Sequence, residues 1–409
     1  MNILQLTNKV PFPPIDGGAI ATLNMSETFI KLGHNVTILA MNTSKHHTST
    51  EDIEKYNKNN INIICVDVNT DIYIHKAILN LAFSSIPYNA ERFLSKNYKN
   101  QLVELLRNNK FDIIQLEGFY LALYIPYIRK YTDALISMRA HNIEHEIWER
   151  IVQNESSTIK KLYLNIISKR IKKLEVNMLK KYDVLIPITK RDESIFIKLG
   201  CKIPVHTSPS GIDINNFNNI NNITEEFSLF YIGALDWIPN QQGLKWFFDN
   251  IWGNIISKFN NIKFYVAGRN APDWLINYIN NKNAIYVGEV KNAYDFIRSK
   301  SIMIVPLLSG SGMRIKIIEG MALGKTIITT SIGTEGINSK HNENILIADS
   351  PEDFSSEIEK VILNHSICNI IGNNASKFIK ANYNNTTICS LLTNFYNEQL
   401  IKHSRNKTQ

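Results

Sequence analysis

The sequence predicts an α/β protein made of two Rossmann-like domains, each built on a parallel sheet. Three observations carry this expectation. The chain has 409 residues, which is too many for one compact core and suits two of ordinary size. Short β-rich runs alternate with amphipathic helical stretches, and alternation of that kind implies βαβ units. The alternation pauses once and then begins again, so the chain holds two series.

The first series places strands at 2–6, 36–40, 61–66, 112–116, 134–138 and 184–188. Each run is short and apolar, as strands buried on both faces are. A helix is expected over 21–32. Gly33 follows it, where a helix end favours a residue that tolerates a left-handed backbone. The pause begins at Ser210-Gly211-Ile212-Asp213 and runs through 214–222, which is crowded with Asn and lacks a period. The second series places strands at 228–232, 262–267, 284–287, 302–305, 326–330 and 345–347.

The expected division is a first domain over 1–209, a linker over 210–226, a second domain over 227–385 and a last helix over 386–409. That helix carries Ile388, Leu391, Leu392, Phe395 and Tyr396 on one stripe, which must pack on something; the first domain is the candidate. The tail beyond Lys402 is expected to fray. Two such domains facing each other would enclose a cleft, with ligands beyond the carboxyl ends of the strands.

Composition narrows the function classes. Apolar residues are 44% of the chain and charged residues only 20%, which argues against wholesale disorder. The net charge of +8 is modest for this length. It suits a protein that handles anionic ligands or rests on an anionic membrane better than a nucleic-acid binder. Cys65, Cys201, Cys368 and Cys389 are far apart, which argues against a disulfide scaffold and a thiolate zinc site. Residues 1–6 are a short apolar run that soon meets Lys9, Pro11, Pro13 and Pro14, so no secretory leader is expected. The best uncharged run, 77–90, is too short to span a bilayer and holds Asn80, Ser84, Ser85, Pro87 and Asn89. A cytoplasmic protein is expected, with peripheral contact to the inner membrane face left open.

The most informative segment runs from Val305 to Lys325. A strand ends at Pro306, a small-residue loop of Ser309, Gly310, Ser311 and Gly312 opens a helix, and Gly324 closes it. Amide groups at a helix start attract phosphate, and glycine allows close backbone approach. Arg314 and Lys316 add positive charge on the first turn. Glu319 lies three residues beyond Lys316 on the same face, where a carboxylate suits a ribose diol. Ile315, Ile318 and Ala322 would form the buried stripe. From spacing alone, a solvated glycine turn fits equally well.

Taken with three further segments, this stretch resembles glycosyltransferase family 4 (group 1), in the branch whose motif reads G-S-G-x-R-x-K-x-x-E. The further segments are Tyr231-Ile232-Gly233-Ala234-Leu235-Asp236-Trp237-Ile238-Pro239-Asn240 with Gly243, then Ser331-Ile332-Gly333-Thr334-Glu335-Gly336, and the Ser210-Gly211-Ile212-Asp213 hinge. The resemblance implies the two-domain GT-B fold and a site for a nucleotide-diphosphate sugar. It implies donor-binding roles for Glu319, Gly310, Ser311, Gly312, Thr334 and Glu335, with Glu319 holding the ribose. Ser311 stands where the family's E-x7-E pattern has its first glutamate. Ala234 and Gln242 stand where many relatives carry Arg and Lys. Arg314 and Lys316 are therefore expected to supply the charge that meets the diphosphate. No acidic D-x-D pair is present, and neither a metal nor a cofactor is expected beside the donor substrate.

On the first domain, Gly17 and Gly18 follow a proline-rich loop and are expected to line the donor or acceptor site. A plain turn is the alternative. His141 and His145 are four residues apart, but the pattern is H-x-x-x-H and no third ligand is evident, so zinc is disfavoured. The resemblance places His141 at a strand end beside the reacting sugar; His145 reads as structural.

Residues 156–181 form a basic helix. Lys160, Lys161, Lys169, Arg170, Lys172, Lys173, Lys180 and Lys181 stand against one acid, Glu175. Ile159, Leu162, Ile166, Ile167, Ile171, Leu174 and Met178 form an apolar side expected to face the protein, leaving the lysines to water or to anionic lipid.

The resemblance implies a retaining glycosyltransferase that moves a sugar to an acceptor hydroxyl, by same-face attack without a protein nucleophile. The acceptor would be a glycan or a lipid-linked precursor of lipopolysaccharide, capsule or exopolysaccharide. A GT-B sugar-nucleotide epimerase and a non-catalytic nucleotide-sugar-binding protein are the alternatives, and acceptor-dependent release of nucleotide diphosphate separates them. Nucleic acid is not an expected partner.

Overall fold

In a computed structural model of the chain, residues 1–14, 16–44, 47–57, 61–217, 224–310 and 312–405 are described. The apolar runs form strands at all the expected places. The first sheet holds β1 (Asn2–Thr7), β2 (Asn35–Thr43), β3 (Asn62–Val68), β4 (Ile113–Glu117), β5 (Leu135–Ala140) and β6 (Val184–Pro187). The second holds β7 (Glu225–Ile232), β8 (Lys263–Ala267), β9 (Ile285–Gly288), β10 (Lys300–Val305), β11 (Thr326–Thr329) and β12 (Leu346–Ile347). The strand orders are β3-β2-β1-β4-β5-β6 and β12-β11-β10-β7-β8-β9, and every pairing is parallel. Both sheets therefore follow one doubly wound plan, in which the order reverses beside β1 and β4 in one and beside β7 and β10 in the other. That reversal is where such sheets take ligands.

The chain divides into two compact units, 1–209 with 386–409 and 210–385. In the first, alternate side chains of the central strands serve two cores. Leu4, Leu6, Ile114 and Leu116 face one layer of helices. Ile3, Ile38 and Ile113 face the other, where they meet Leu23 and Phe29 of the helix Gly17–Lys31 and Cys389, Leu392 and Tyr396 of the helix Asn385–Arg405. The last helix thus belongs to the first unit. Its Tyr396 hydroxyl donates to Gln115 Oε1 at 2.8 Å and accepts from Ser137 Oγ at 2.7 Å, deep in the sheet. The second unit has its own core around Phe247, Trp252, Phe264 and Phe354.

Several boundaries differ from the sequence expectation. The first helix begins at Gly17 rather than 21, because Asp16 caps it by accepting from the Ala19 amide at 2.9 Å. Gly33 then takes φ +83°, as a helix end requires. β7 begins at Glu225, inside the expected linker. The 210–213 end of that stretch is fixed by Ile212, whose amide and carbonyl bond Tyr383 and Asn385. Residues 218–223 of the linker lie outside the described residues. The last helix continues through Lys402 to Arg405 instead of fraying; 406–409 are outside the described residues.

The basic helix runs Thr158–Met178 and does not bury its whole apolar side. Ile167 and Ile171 are buried and Leu174 and Met178 pack on the core, but Ile159, Leu162 and Ile166 are exposed. Its single acid, Glu175, is buried and accepts from the Glu144 and His145 amides that open the helix Glu144–Asn154. A carboxylate there satisfies helix-start donors and the helix dipole together. No helix among the described residues is long and apolar enough to cross a membrane.

Tyr396→Phe removes a hydroxyl from a buried network and leaves Gln115 and Ser137 short of a partner. The variant is expected to lose about 1–3 kcal/mol of first-unit stability, read as a lower urea midpoint at an unchanged slope.

Candidate active site

In the first unit, the carboxyl ends of β1, β4 and β5 open into a cavity of about 280 Å³. Thr7, Asn8, Lys9, Gly18, Glu117, Gly118, His141 and Glu144 are among its walls. Glu117 ends β4 and is buried. Its carboxylate meets Arg139 Nη1 at 3.1 Å, His141 Nε2 at 2.8 Å and Thr22 Oγ1 at 3.2 Å, and Gln115 Nε2 also donates to it. Burial alone would raise its pKa. The Arg139 charge and the His141 hydrogen bond outweigh burial and hold it at about 2, against an ordinary 4.5.

His141 is shifted the other way. Burial lowers its pKa despite the Glu117 hydrogen bond, so the ring is neutral near pH 7. A neutral ring that donates from Nε2 to Glu117 keeps a lone pair on Nδ1. Glu144 adds a second group poised near neutrality. Burial raises its carboxyl to about 7, while the Tyr120 hydroxyl donates to it at 2.5 Å. His145 turns instead to Glu175, so the two histidines engage different carboxylates.

The proline-rich loop is anchored by Lys9, whose ammonium lies 2.6 Å from Asp16. Gly18 lines the cavity, and a Cβ there would stand 3.2 Å from Lys9 Nζ. Gly17 sits beside it as the first helical residue.

In the second unit, the reversal of strand order lies beside β7 and β10. Lys316 links the two strand ends. It projects from the helix Ile315–Ala322 that follows β10, and its ammonium donates to Tyr231 Oη of β7 at 2.7 Å and to Asn240 Oδ1 at 3.1 Å. It also lies 4.3 Å from the centre of the Tyr231 ring. All these partners are neutral, and no ion pair to Lys316 forms among the described residues. Burial, and then the charge of Arg314, lower its pKa to about 7. Gly233 makes room for it, since a Cβ there would come within 2.9 Å of Lys316 Nζ.

Arg314 is buried and acts as the helix N-cap residue rather than a first-turn residue. Its Nη1 donates to Gly312 O, and its guanidinium lies 6.0 Å from the Trp237 ring. Gly310 and Gly312 take φ +119° and +77°, backbone that favours glycine. At Gly310 a Cβ would also stand 2.9 Å from Arg314 Nη2. Glu319 does not pair with Lys316. It accepts from the Tyr294 hydroxyl at 3.1 Å, and burial raises its carboxyl to about 7. Thr334 and Glu335 lie in the turn after β11, whose Gly333 approaches Thr329 too closely to carry a Cβ. Ser311 lies outside the described residues.

Comparison with known proteins identifies both units. Residues 15–216 match the model of Glycosyltransferase Family 4, and residues 226–364 match that of Glycosyl transferases group 1. The chain belongs to the family 4/group 1 glycosyltransferases. It is 27% identical to an uncharacterized 44.6 kDa protein in the cps region of Klebsiella pneumoniae, over 95% of this chain and 98% of that protein. Among solved structures it resembles Anabaena Alr3699/HepE in complex with UDP, at TM-score 0.70 and 11% identity, covering 97% of this chain and 100% of that one. The sucrose-phosphate synthase of Thermosynechococcus elongatus also gives TM-score 0.70, at 13% identity, covering 98% and 100%. These two establish the fold of the glycosyltransferase, which is GT-B.

The structure brings Gly310, Gly312, Arg314 and Lys316 of this glycosyltransferase together at one strand reversal, with Glu319 one turn beyond. It brings Gly18 and His141 together at the other. Ala234 and Gln242 each make a local hydrogen bond. Ala234 O accepts from Asn240 Nδ2 at 2.7 Å, and Gln242 Oε1 accepts from Ser309 Oγ at 3.3 Å. Sequence reasoning did not assign Glu117, Arg139, Glu144, Tyr231, Asn240 or Tyr294. A charge ending a β-run, as in Glu117 and Arg139, was one available signal; Tyr231 and Asn240 stood in a segment that carries the resemblance but had no role assigned, and Tyr294 gave no signal.

Glu117 sets a pH dependence. Its folded pKa lies below the unfolded value, so its contribution is present above about 4.5 and is lost as pH falls toward about 2. At about 1.4 kcal/mol per unit, this is on the order of 3 kcal/mol. Glu117→Gln is expected to flatten the acid limb of stability in that window and to lower stability at pH 7 by about 3–5 kcal/mol through the stranded Arg139. Urea unfolding from pH 7 to pH 2 checks both.

Proposed function

We propose that this glycosyltransferase moves a sugar from a nucleotide-diphosphate sugar to an acceptor hydroxyl with retention of configuration, in the assembly of a surface polysaccharide. The observation that carries the reading is the Lys316 ammonium, held at a strand reversal by groups that, among the described residues, are all neutral, and next to a second cation, Arg314. Such an arrangement is costly without an anion and favourable with one. A diphosphate is an anion of the right kind. Two further observations support the choice. Alr3699/HepE has been solved with UDP and with UDP-glucose. The Klebsiella relative, which matches over nearly the whole chain, comes from a cps region.

The difficult step is departure of the diphosphate. Binding restores the proton on Lys316, because the anion reverses the effect of burial. Lys316 and Arg314, with the amides at the start of the helix Ile315–Ala322, then stabilise the charge that builds on the leaving oxygen. Gly310 and Gly312 let the backbone approach the phosphates. Glu319 accepts from the ribose hydroxyls while Tyr294 steadies its other contacts. Thr334 and Glu335 complete the donor site. On the first unit, Gly17 and Gly18 bring backbone amides toward the donor. His141 offers its Nδ1 lone pair to a sugar hydroxyl, with Glu117 fixing the tautomer. The attacking hydroxyl approaches on the face the diphosphate leaves, so no protein nucleophile is needed. No metal is assigned a role.

Binding of the productive donor is expected to peak near pH 7. Protonated Lys316 favours the diphosphate, so affinity falls as pH rises above about 7; ionised Glu319 favours the ribose, so affinity falls below it. Calorimetry with the diphosphate sugar should show Lys316→Met losing the alkaline limb and Glu319→Gln losing the acidic one. Turnover by Lys316→Met or Arg314→Ala should drop by about 10²–10³. The reading is tested by product analysis over a panel of donors, with lipid-linked and free glycan acceptors. Acceptor-dependent release of nucleotide diphosphate and an unchanged anomeric configuration support it. Epimerised donor without acceptor, or binding without turnover, would overturn it.

A further inference from the structure

We infer that the helix Ile74–Phe83 and the first half of the helix Thr158–Met178 form a face that docks onto an anionic lipid bilayer. The inference does not rest on the glycosyl-transfer reading. It rests on two apolar helix faces that the fold leaves in water and on the charge around them.

The helix Ile74–Phe83 buries one residue, Asn80. Ile74 is 77% exposed, Ile78 63%, Leu79 56% and Phe83 86%. Polar bonds hold this helix in place. Asn80 Nδ2 donates to Ile86 O at 2.9 Å and to Glu91. Arg170 Nη1 donates to the carbonyls of Asn80 and Ser84, and its Nη2 to that of Leu81 at 2.8 Å. An apolar helix fastened at its carboxyl end, with its apolar side turned outward, is built to meet something apolar.

The same Arg170 clamp ties that helix to the basic one. There the residues one, two and three turns before Arg170 on the same side are Ile166, Leu162 and Ile159, the last 82% exposed. The outward stripe they begin continues as Lys169 and Lys173. Lys76, Lys160, Lys161, Lys169 and Lys173 are all exposed, and none pairs with a carboxylate among the described residues. A groove beside the helix Ile74–Phe83 sets Tyr73, Leu79, Phe83 and Leu94 next to Lys76 and Arg92; its two acids, Asp71 and Glu91, accept hydrogen bonds from Ser44 and Asn80. Apolar side chains ringed by unpaired cations match the acyl chains and phosphate headgroups of an anionic leaflet. The surface of a soluble partner would need an apolar patch bordered by acids. A bilayer supplies both parts over any area, so it is the occupant the charge pattern favours.

The test is sedimentation of the full chain with vesicles of phosphatidylcholine alone or with phosphatidylglycerol, at low and high salt. Binding to the anionic vesicles is expected, falling at least tenfold as salt rises from 50 to 500 mM, with little binding to phosphatidylcholine. Ile78→Ser with Phe83→Ser, and separately Lys169→Glu with Lys173→Glu, should each reduce binding at least tenfold. These are surface positions, so circular dichroism and nucleotide-sugar affinity should stay as in the wild type. Absence of binding to anionic vesicles at low salt overturns the inference, as does binding that either variant leaves intact. A dimer that Phe83→Ser disperses, without vesicle binding, overturns it by assigning the face to a second copy.

Discussion

A half-buried ammonium that meets no carboxylate among the described residues is the constraint around which the second unit is arranged. Lys316 spans the two strand ends beside the reversal of sheet order, and its hydrogen-bond partners among the described residues are neutral. Tyr231 offers its hydroxyl and the face of its ring, Asn240 an amide oxygen, and Gly233 the absence of a side chain. Those groups hold the nitrogen in place without quenching its charge. An internal carboxylate would have quenched that charge, and any incoming anion, such as the proposed diphosphate, would then have to displace it.

The first unit applies the opposite solution at the equivalent place. Glu117 ends the strand beside that reversal and is fully paired, chiefly by Arg139 and His141. The network beneath it runs through Gln115 to Tyr396 of the last helix, which Ser137 also bonds, so the final segment of the chain supports the floor of the cavity that His141 lines. One unit thus fixes a ring by satisfying a buried charge; the other readies a charge by leaving it unsatisfied. Two sheets of identical order can do different chemistry because the difference lies in the loops and the residues at strand ends.

Much of this was legible in the sequence. The strands were readable because residues buried on both faces of a parallel sheet give continuous Ile- and Val-rich runs. The glycine loop, Arg314, Lys316 and Glu319 were readable because they crowd into one short segment. Boundaries were harder: Asp16 starts its helix earlier than the apolar period suggests, and β7 begins within a polar stretch. The partners of the site residues were hidden for a different reason. Tyr231, Asn240 and Tyr294 are ordinary residues in ordinary elements, and only the strand order brings them to Lys316 and Glu319. The basic helix shows the same limit. Its apolar side is continuous in sequence, yet half of it packs and half does not, because the core it leans on ends near Ile167.

The most direct measurement of the central claim is the titration of the Lys316 ammonium itself, followed by nuclear magnetic resonance on selectively labelled lysine, with and without UDP. The account predicts a midpoint near 7 in the free protein, far below the ordinary 10.5, and a shift of at least one unit upward when the diphosphate binds. An ordinary midpoint in the free protein, or one that the nucleotide leaves unmoved, would contradict it.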